Sequence, residues 1–275
     1  METALSLALV PNLAAAYDQY FGSGLYDTRY PRPNRAMQAA IAAALPADGR
    51  GAVLDFGCGT GRYLPLLLAH PGLSVTGYDI SRAAITACGR QFSDAAAEGR
   101  LRLICGEMPV LQRALEPASQ DTILLMFGVL GHVRGRAERV ALLRRLHALL
   151  RPGGRLVATV PSRRRRFRAE QQACARLVAD GVLEPGDILY RRDGAEGSVE
   201  LYYHLFTAAE FAEDLAAAGF ARPRLFPESV LPERGAIAGP GGALLDAALR
   251  RVCPLPLAYG FAACVARDAA DPPHG

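Results

Sequence analysis

The sequence contains no lysine, so all 31 of its cationic residues are arginine, set against 27 acids in 275 residues. That bias reads as a codon-composition effect rather than a chemical requirement. A formal charge of +4 does not by itself mark a nucleic-acid binder. The sequence also lacks any apolar run long enough, and free enough of charges and breakers, to span a bilayer. Residues Met1 to Ala16 are apolar and alanine-rich, yet they include Glu2 and no Arg or Lys, so they lack the positive leading region of a secretory signal. The six cysteines form no Cys-x-x-Cys and no paired spacing, which argues for reduced thiols in the cytoplasm rather than disulfides or zinc. The five histidines are equally dispersed, so no metal is expected.

What is present alternates. Ala52 to Phe56, Leu73 to Tyr78, Leu101 to Cys105, Asp121 to Phe127 and Arg155 to Val160 are apolar runs of strand length. Helical patterns fall between them. Arg62 to Ala69 carries Pro65 in its first turn, Ser81 caps a helix through Phe92, and Arg136 to Leu150 is amphipathic and is stopped by Pro152, Gly153 and Gly154. Thr207 with Glu210 forms a capping box for a helix ending at Gly219, and two further strands are expected at Leu225 to Val230 and Tyr259 to Ala266. This alternation predicts an open, parallel α/β sheet in one domain spanning residues 1–275. Residues 1–48 form an N-terminal helical segment and 51–161 a ligand-binding core. Residues 162–205 interrupt the alternation, where a substrate-specific insertion or lid would sit.

Asp55-Phe56-Gly57-Cys58-Gly59-Thr60-Gly61 joins a predicted strand to a predicted helix, at the carboxyl edge where ligands of such sheets bind. Asp79 ends the next strand, where an acid can accept both hydroxyls of an adenosine ribose and would repel a 2′-phosphate. Either feature alone is compatible with a dinucleotide site. The spacing here is G-x-G-x-G rather than G-x-G-x-x-G, and Asp55 sets a negative charge where a pyrophosphate would lie. That charge suits the amine and sulfonium of S-adenosylmethionine.

Val53 to Tyr63 (VLDFGCGTGRY) resembles the first motif of class I S-adenosylmethionine-dependent methyltransferases. Tyr78 to Ser81 resembles the ribose motif of that family, and Leu149 to Val157 (LLRPGGRLV) its helix-to-strand turn. The resemblance covers roughly Gly51 to Pro161 and is specific in combination. It implies a Rossmann-like, seven-stranded, mostly parallel sheet with an antiparallel last strand and helices on both faces. It also implies that the N-terminal segment covers the cofactor. Carried over position by position, it implies that the cofactor meets Asp55, Gly57, Cys58, Gly59, Gly61, Asp79, Ile80, Glu107, Met108 and Phe127. Glu107 departs from the family's usual Asp beside the adenine ring.

On the acceptor side His132, in FGVLGH after the fourth strand, is the candidate base or orienting residue, with helix capping as its structural alternative. Tyr26, Arg29 and Tyr30 near the N-terminus, Arg163 and Arg166 after the fifth strand, and Tyr203 and His204 before the capping box are candidate substrate contacts. Packing or solvated roles are open for each of them. A small-molecule or lipid-precursor acceptor is the first expectation. An RNA acceptor is the second, from the arginine run Arg163 to Arg166 and from YYHLF at 202–206, which faintly resembles tRNA wobble-uridine carboxymethyl methyltransferases. A catalytically silent subunit that activates a partner is the third, and the intact glycines disfavour it.

Overall fold

A computed structural model describes residues 12–23, 33–194, 197–221, 223–232 and 239–269. Nine strands are described: β1 (Arg50–Phe56), β2 (Gly72–Asp79), β3 (Leu101–Cys105), β4 (Gln120–Leu125), β5 (Leu150–Pro161), β6 (Asp187–Gly194), β7 (Gly197–His204), β8 (Leu225–Ser229) and β9 (Gly260–Ala266). Seven of them make one sheet in the order β3-β2-β1-β4-β5-β9-β8. β1 to β5 pair in parallel, and β9 runs antiparallel to both β5 and β8. This is the Rossmann-like sheet expected from the sequence, with its strand order reversing between β1 and β4.

Period two explains why the central strands read as unbroken apolar runs. Leu54, Ile123, Leu125 and Leu156 pack on one side of the sheet with Leu143, Leu146, Phe211 and Leu215. Val53, Leu124 and Val157 pack on the other with Met37, Ile41, Leu64 and Leu67. Both faces are covered by helices, so both sets of alternate residues are apolar. Ser81 accepts the Ala84 N–H at 3.1 Å, and the Thr207–Glu210 capping box closes in both directions.

Three boundaries move. The helix expected from Arg62 is confined to Leu64–Leu68, because residues 60–63 form the turn that leaves the glycine loop. β4 stops at Leu125, and Phe127 leaves it with φ 59°. β5 begins at Leu150 rather than Arg155, with a register shift opposite Gln120 and Thr122 that takes in the Pro-Gly-Gly turn.

The interruption at 162–205 is an antiparallel hairpin, β6 with β7, preceded by two short helices at Arg168–Ala173 and Ala175–Ala179. Its base is tied to β5 by Phe206 N–H to Pro161 O at 2.9 Å and Arg163 N–H to Phe206 O at 2.8 Å. Ala16, on the Leu13–Gly22 helix, packs on Val199 and Leu201 of β7. The same helix is pinned at Asp18, whose carboxylate accepts Ser81 Oγ–H at 2.7 Å and Ala83 N–H at 2.9 Å, at the start of the Arg82–Gln91 helix. A carboxylate there meets the free amides and positive end of a helix. Burial works against its charge, but those bonds hold the Asp18 carboxyl below its ordinary value. No helix among the described residues is long and apolar enough to cross a membrane.

Candidate active site

The ends of β1, β2 and β4 open on a cavity of about 320 Å³. Gly57 and Cys58 donate to Tyr78 O at 2.7 and 3.0 Å, which folds the glycine loop back over β2. Gly59 donates to Asp79 Oδ2 at 2.8 Å, while Ser81 N–H takes Asp79 Oδ1 at 2.9 Å. Gly59 has φ 56°, and a Cβ on it would lie 3.2 Å from the ring of Phe21, so the loop needs glycine there for both backbone and space. Burial raises the Asp79 carboxyl despite the amides that favour its charge.

Gly57, Gly59, Asp79 and Ile80 line the cavity, as do Glu107, Met108 and Phe127. Asp55, Cys58 and Gly61 are not among its lining residues. Gly61 backs onto Phe92 and Cys88, and Cys58 packs beside Gly77. Asp55 is buried, its Oδ2 has no hydrogen-bond partner, and burial, with the nearby Asp79 charge, pushes its carboxyl up to about 7. Such an orphaned oxygen behind the glycine loop fits a group that brings positive charge.

A continuous wall of rings leads away from the glycine loop. Phe21 neighbours Tyr17 at 5.8 Å between centroids, Tyr17 meets the His132 ring edge-on at 5.1 Å, and His132 stacks on Tyr203 at 4.4 Å. Tyr203 in turn meets Phe167 and Tyr190 at 6.0 and 6.1 Å. The insertion of Tyr203 explains FGVLGH. A Cβ on Gly128, at φ 73°, would collide with the Tyr203 hydroxyl, and one on Gly131 would sit 2.7 Å from its ring.

His132 lies in the short turn Val129–His132. Its Nδ1 is 3.0 Å from Tyr202 O and its Nε2 is 2.6 Å from Tyr17 Oη. A carbonyl can only accept, so Nδ1 carries the hydrogen and Nε2 takes the Tyr17 O–H. Burial drives the imidazole down to about 4, against the favourable bond to Tyr202 O. Burial likewise raises the Tyr17 phenol well above its ordinary value. The pair is therefore neutral, with tyrosine as donor.

Period two sorts the hairpin. Tyr203, Tyr190 and Arg192 face the cavity. Tyr202, His204 and Asp187 face away. Asp187 Oδ1 accepts Tyr202 O–H at 2.7 Å and pairs with His204 Nδ1 at 2.6 Å, and His204 Nε2 meets Glu210 at 2.9 Å. Burial disfavours the imidazolium, but these two carboxylates hold it above its ordinary value. Glu184, Asp187 and His204 lie close enough to suggest a metal, yet both ring nitrogens of His204 are taken by carboxylates. His204 thus belongs to a buried network with Arg139 and does not line the cavity.

Arg163 donates to Pro185 O at 2.7 Å and Arg165 to Leu257 O at 2.7 Å. Arg166 stacks over Phe167 and Tyr259 and lines the cavity, whereas Arg163 does not. Tyr26, Arg29 and Tyr30 lie outside the described residues. Tyr190, Arg192 and Phe167 carry no motif, so only the alternation along β6 could have singled out the first two.

Residues 54–156 match a family model described as a methyltransferase domain. No match was found among curated proteins. Among solved structures, a methyltransferase from Methanosarcina mazei, described as S-adenosylmethionine-dependent, shares the fold at 21% identity and a TM-score of 0.58, covering 83% of this chain and 97% of its own. The Burkholderia thailandensis 1,6-didemethyltoxoflavin-N1-methyltransferase, solved with its substrate and S-adenosylhomocysteine, is 23% identical at a TM-score of 0.55, over 93% of this chain and 88% of its own. The CcbJ methyltransferase of Streptomyces caelestis is 18% identical at 0.57, over 86% and 91%. At these identities the likeness of this chain to each is one of fold.

Proposed function

We propose that this chain is an S-adenosylmethionine-dependent methyltransferase acting on a small molecule, with a lipid precursor within that class. The observation that carries the reading is one cavity that joins the Gly57–Gly59 loop and Asp79 to an aromatic wall under the hairpin. A cofactor cradle and an acceptor pocket thus share one wall. Two solved relatives of the same fold, with names or contents pointing to the same cofactor, support it. In this reading residues 162–205 serve as the acceptor lid and the Leu13–Gly22 helix as a cover. A reducing compartment suits the six free cysteines.

S-adenosylmethionine supplies a methyl carbon on a sulfonium, which leaves as a neutral thioether when the lone pair of an acceptor takes the carbon. Asp79 would accept the ribose hydroxyls with the lone pairs its two amides leave free, and Asp55 would balance the cationic end. Glu107, Met108 and Ile80 would flank the adenosine. The chain's remaining work is positional: the rings of Phe127, Tyr17 and Tyr203 hold the acceptor in line and exclude water. His132 acts best as a positioning residue. A base at about 4 costs about 4 kcal/mol to protonate at pH 7, too much for a resting proton acceptor. It fixes Tyr17, whose oxygen can then accept a hydrogen bond from the acceptor.

Two of the four arginines that motivate the RNA alternative, Arg163 and Arg165, each donate to a carbonyl of their own chain, which favours the small-molecule reading. Calorimetry with S-adenosylmethionine tests the proposal. Asp79→Asn should weaken binding by about 1–3 kcal/mol through lost charge-assisted bonds. No cofactor binding by the unaltered chain would make the silent-subunit reading the better one.

A further inference from the structure

The cavity face of the hairpin holds a cation that the fold does not neutralise. Adjacent arginines on β6 are treated differently. Arg191 faces outward and pairs with Glu200 at 3.0 Å, its cross-strand neighbour. Arg192 faces the cavity, and its cross-strand neighbour is Val199. Its guanidinium lies over Tyr190 at 4.6 Å and Phe167 at 5.5 Å, and among the described residues it has no acidic partner. Rings stabilise a guanidinium through its charge, yet they offer no oxygen to its five donors. A half-buried arginine held this way keeps its fork for an incoming carboxylate.

Arg166, stacked over Phe167 and Tyr259, brings a second positive charge to the same end. The acids lining the cavity are distributed unevenly. Asp79 and Glu107 belong to the β2 and β3 ends, Glu138 to the Arg136–Leu149 helix, and Glu228 to β8 beside β9, where its carboxylate lies against Gly260. Among the described residues, the charge without an acidic partner at the hairpin end is that of Arg192. Between that charge and the glycine loop stand Tyr203, Tyr190, Phe167 and Tyr17, which suit a flat ring.

Resting on the reading of this cavity as a methyl-transfer site, we infer that the acceptor is a planar aromatic or heteroaromatic molecule bearing one carboxylate, which Arg192 takes with help from Arg166. Arg192 is then a specificity-determining residue, and Arg191 is not.

The test uses the full chain loaded with S-adenosylhomocysteine, titrated by calorimetry with 4-hydroxybenzoate, anthranilate and 3-hydroxy-2-naphthoate and with the methyl ester of each. At least one acid should bind about tenfold more tightly than its ester, a difference of about 1.4 kcal/mol. Arg192→Gln should abolish that preference and leave the ester within about twofold, while Arg191→Gln changes neither. Both variants should keep their S-adenosylhomocysteine affinity, which reports that the fold survives. Equal binding of acids and esters, no binding by any acid, or equal effects of the two substitutions would overturn the inference and leave the methyltransferase reading standing. Failure of S-adenosylhomocysteine itself to bind would withdraw both.

Discussion

The neutral His132 should make the protein lose stability as pH falls from 7 to 4. In the unfolded chain this imidazole takes up a proton near its ordinary value of 6.5, whereas in the fold burial holds it down to about 4. The folded value lies below the unfolded one, so the contribution is fully present above 6.5 and is lost as the pH drops through the interval. Integrating the two titrations gives a loss of about 3 kcal/mol at pH 4, with about half of it gone by pH 5.5. The ring keeps some contact with the cavity, so this is an upper figure. Other groups titrate as well: His204, held above its ordinary value, contributes below 6.5 and loses that contribution as pH rises, and Asp187 and Glu210, held below theirs, lose theirs only in more acidic solution. The substitution His132→Gln leaves those groups in place. Urea unfolding of both proteins, followed by circular dichroism at pH 7, 5.5 and 4, isolates the imidazole in the difference. The advantage of the unaltered protein should shrink by about 3 kcal/mol across that range. A flat difference would mean that His132 titrates like a solvated imidazole. A difference that grows as pH falls would mean that the folded state holds it charged, and the assignment of Tyr17 as donor would go with it.

Two further outcomes follow from the packing around the hairpin. Gly128→Ala should cost about 1–3 kcal/mol, because its Cβ meets the Tyr203 hydroxyl at a left-handed backbone position. Removing that oxygen with Tyr203→Phe should recover part of the loss, and additive effects in thermal melts of the four proteins would refute the contact as the cause. Asp187→Asn should cost about 3–5 kcal/mol, since it leaves the His204 imidazolium with one buried acid fewer and the Tyr202 hydroxyl with a poorer acceptor. Nuclear magnetic resonance should also show the His204 titration moving to lower pH. A loss below about 1 kcal/mol with an unmoved titration would mean that the network is solvated.

How far the sequence could be read depended on the range of the forces involved. The seven strands and the caps at Ser81 and Thr207 were legible because each rests on local periodicity or on a hydrogen bond spanning a few residues. The glycine loop and Asp79 were legible because two backbone strands must bring them together. Gly61 was read as a cofactor contact, whereas its missing Cβ makes room for Phe92. Loop spacing cannot separate a glycine that admits a ligand from one that admits a ring. His132 lines the cavity, but its resting charge depends on Tyr17 and Tyr202, which lie 115 and 70 residues away in the chain. Only tertiary structure could supply that. His204 was grouped with Tyr203 because they are adjacent, and adjacency in a strand is what places them on opposite faces.

That opposition gives the hairpin two faces with different contacts. Asp187, Tyr202 and His204, at an odd-numbered position of β6 and even-numbered positions of β7, are locked into the buried charge network with Glu210 and fix where the hairpin sits. The alternate positions, Tyr190, Arg192 and Tyr203, face the cavity. On the proposed reading, changes on the cavity face alter which acceptor fits while the network keeps the hairpin in place. A point of contact between the faces is the backbone carbonyl of Tyr202, which accepts from His132 Nδ1. On the proposed reading, loosening the network should then reach the acceptor through the orientation of Tyr17 and His132, although Asp187, Tyr202, His204 and Glu210 do not line the cavity. Shifts at the cavity face should leave the network's stability contribution nearly additive.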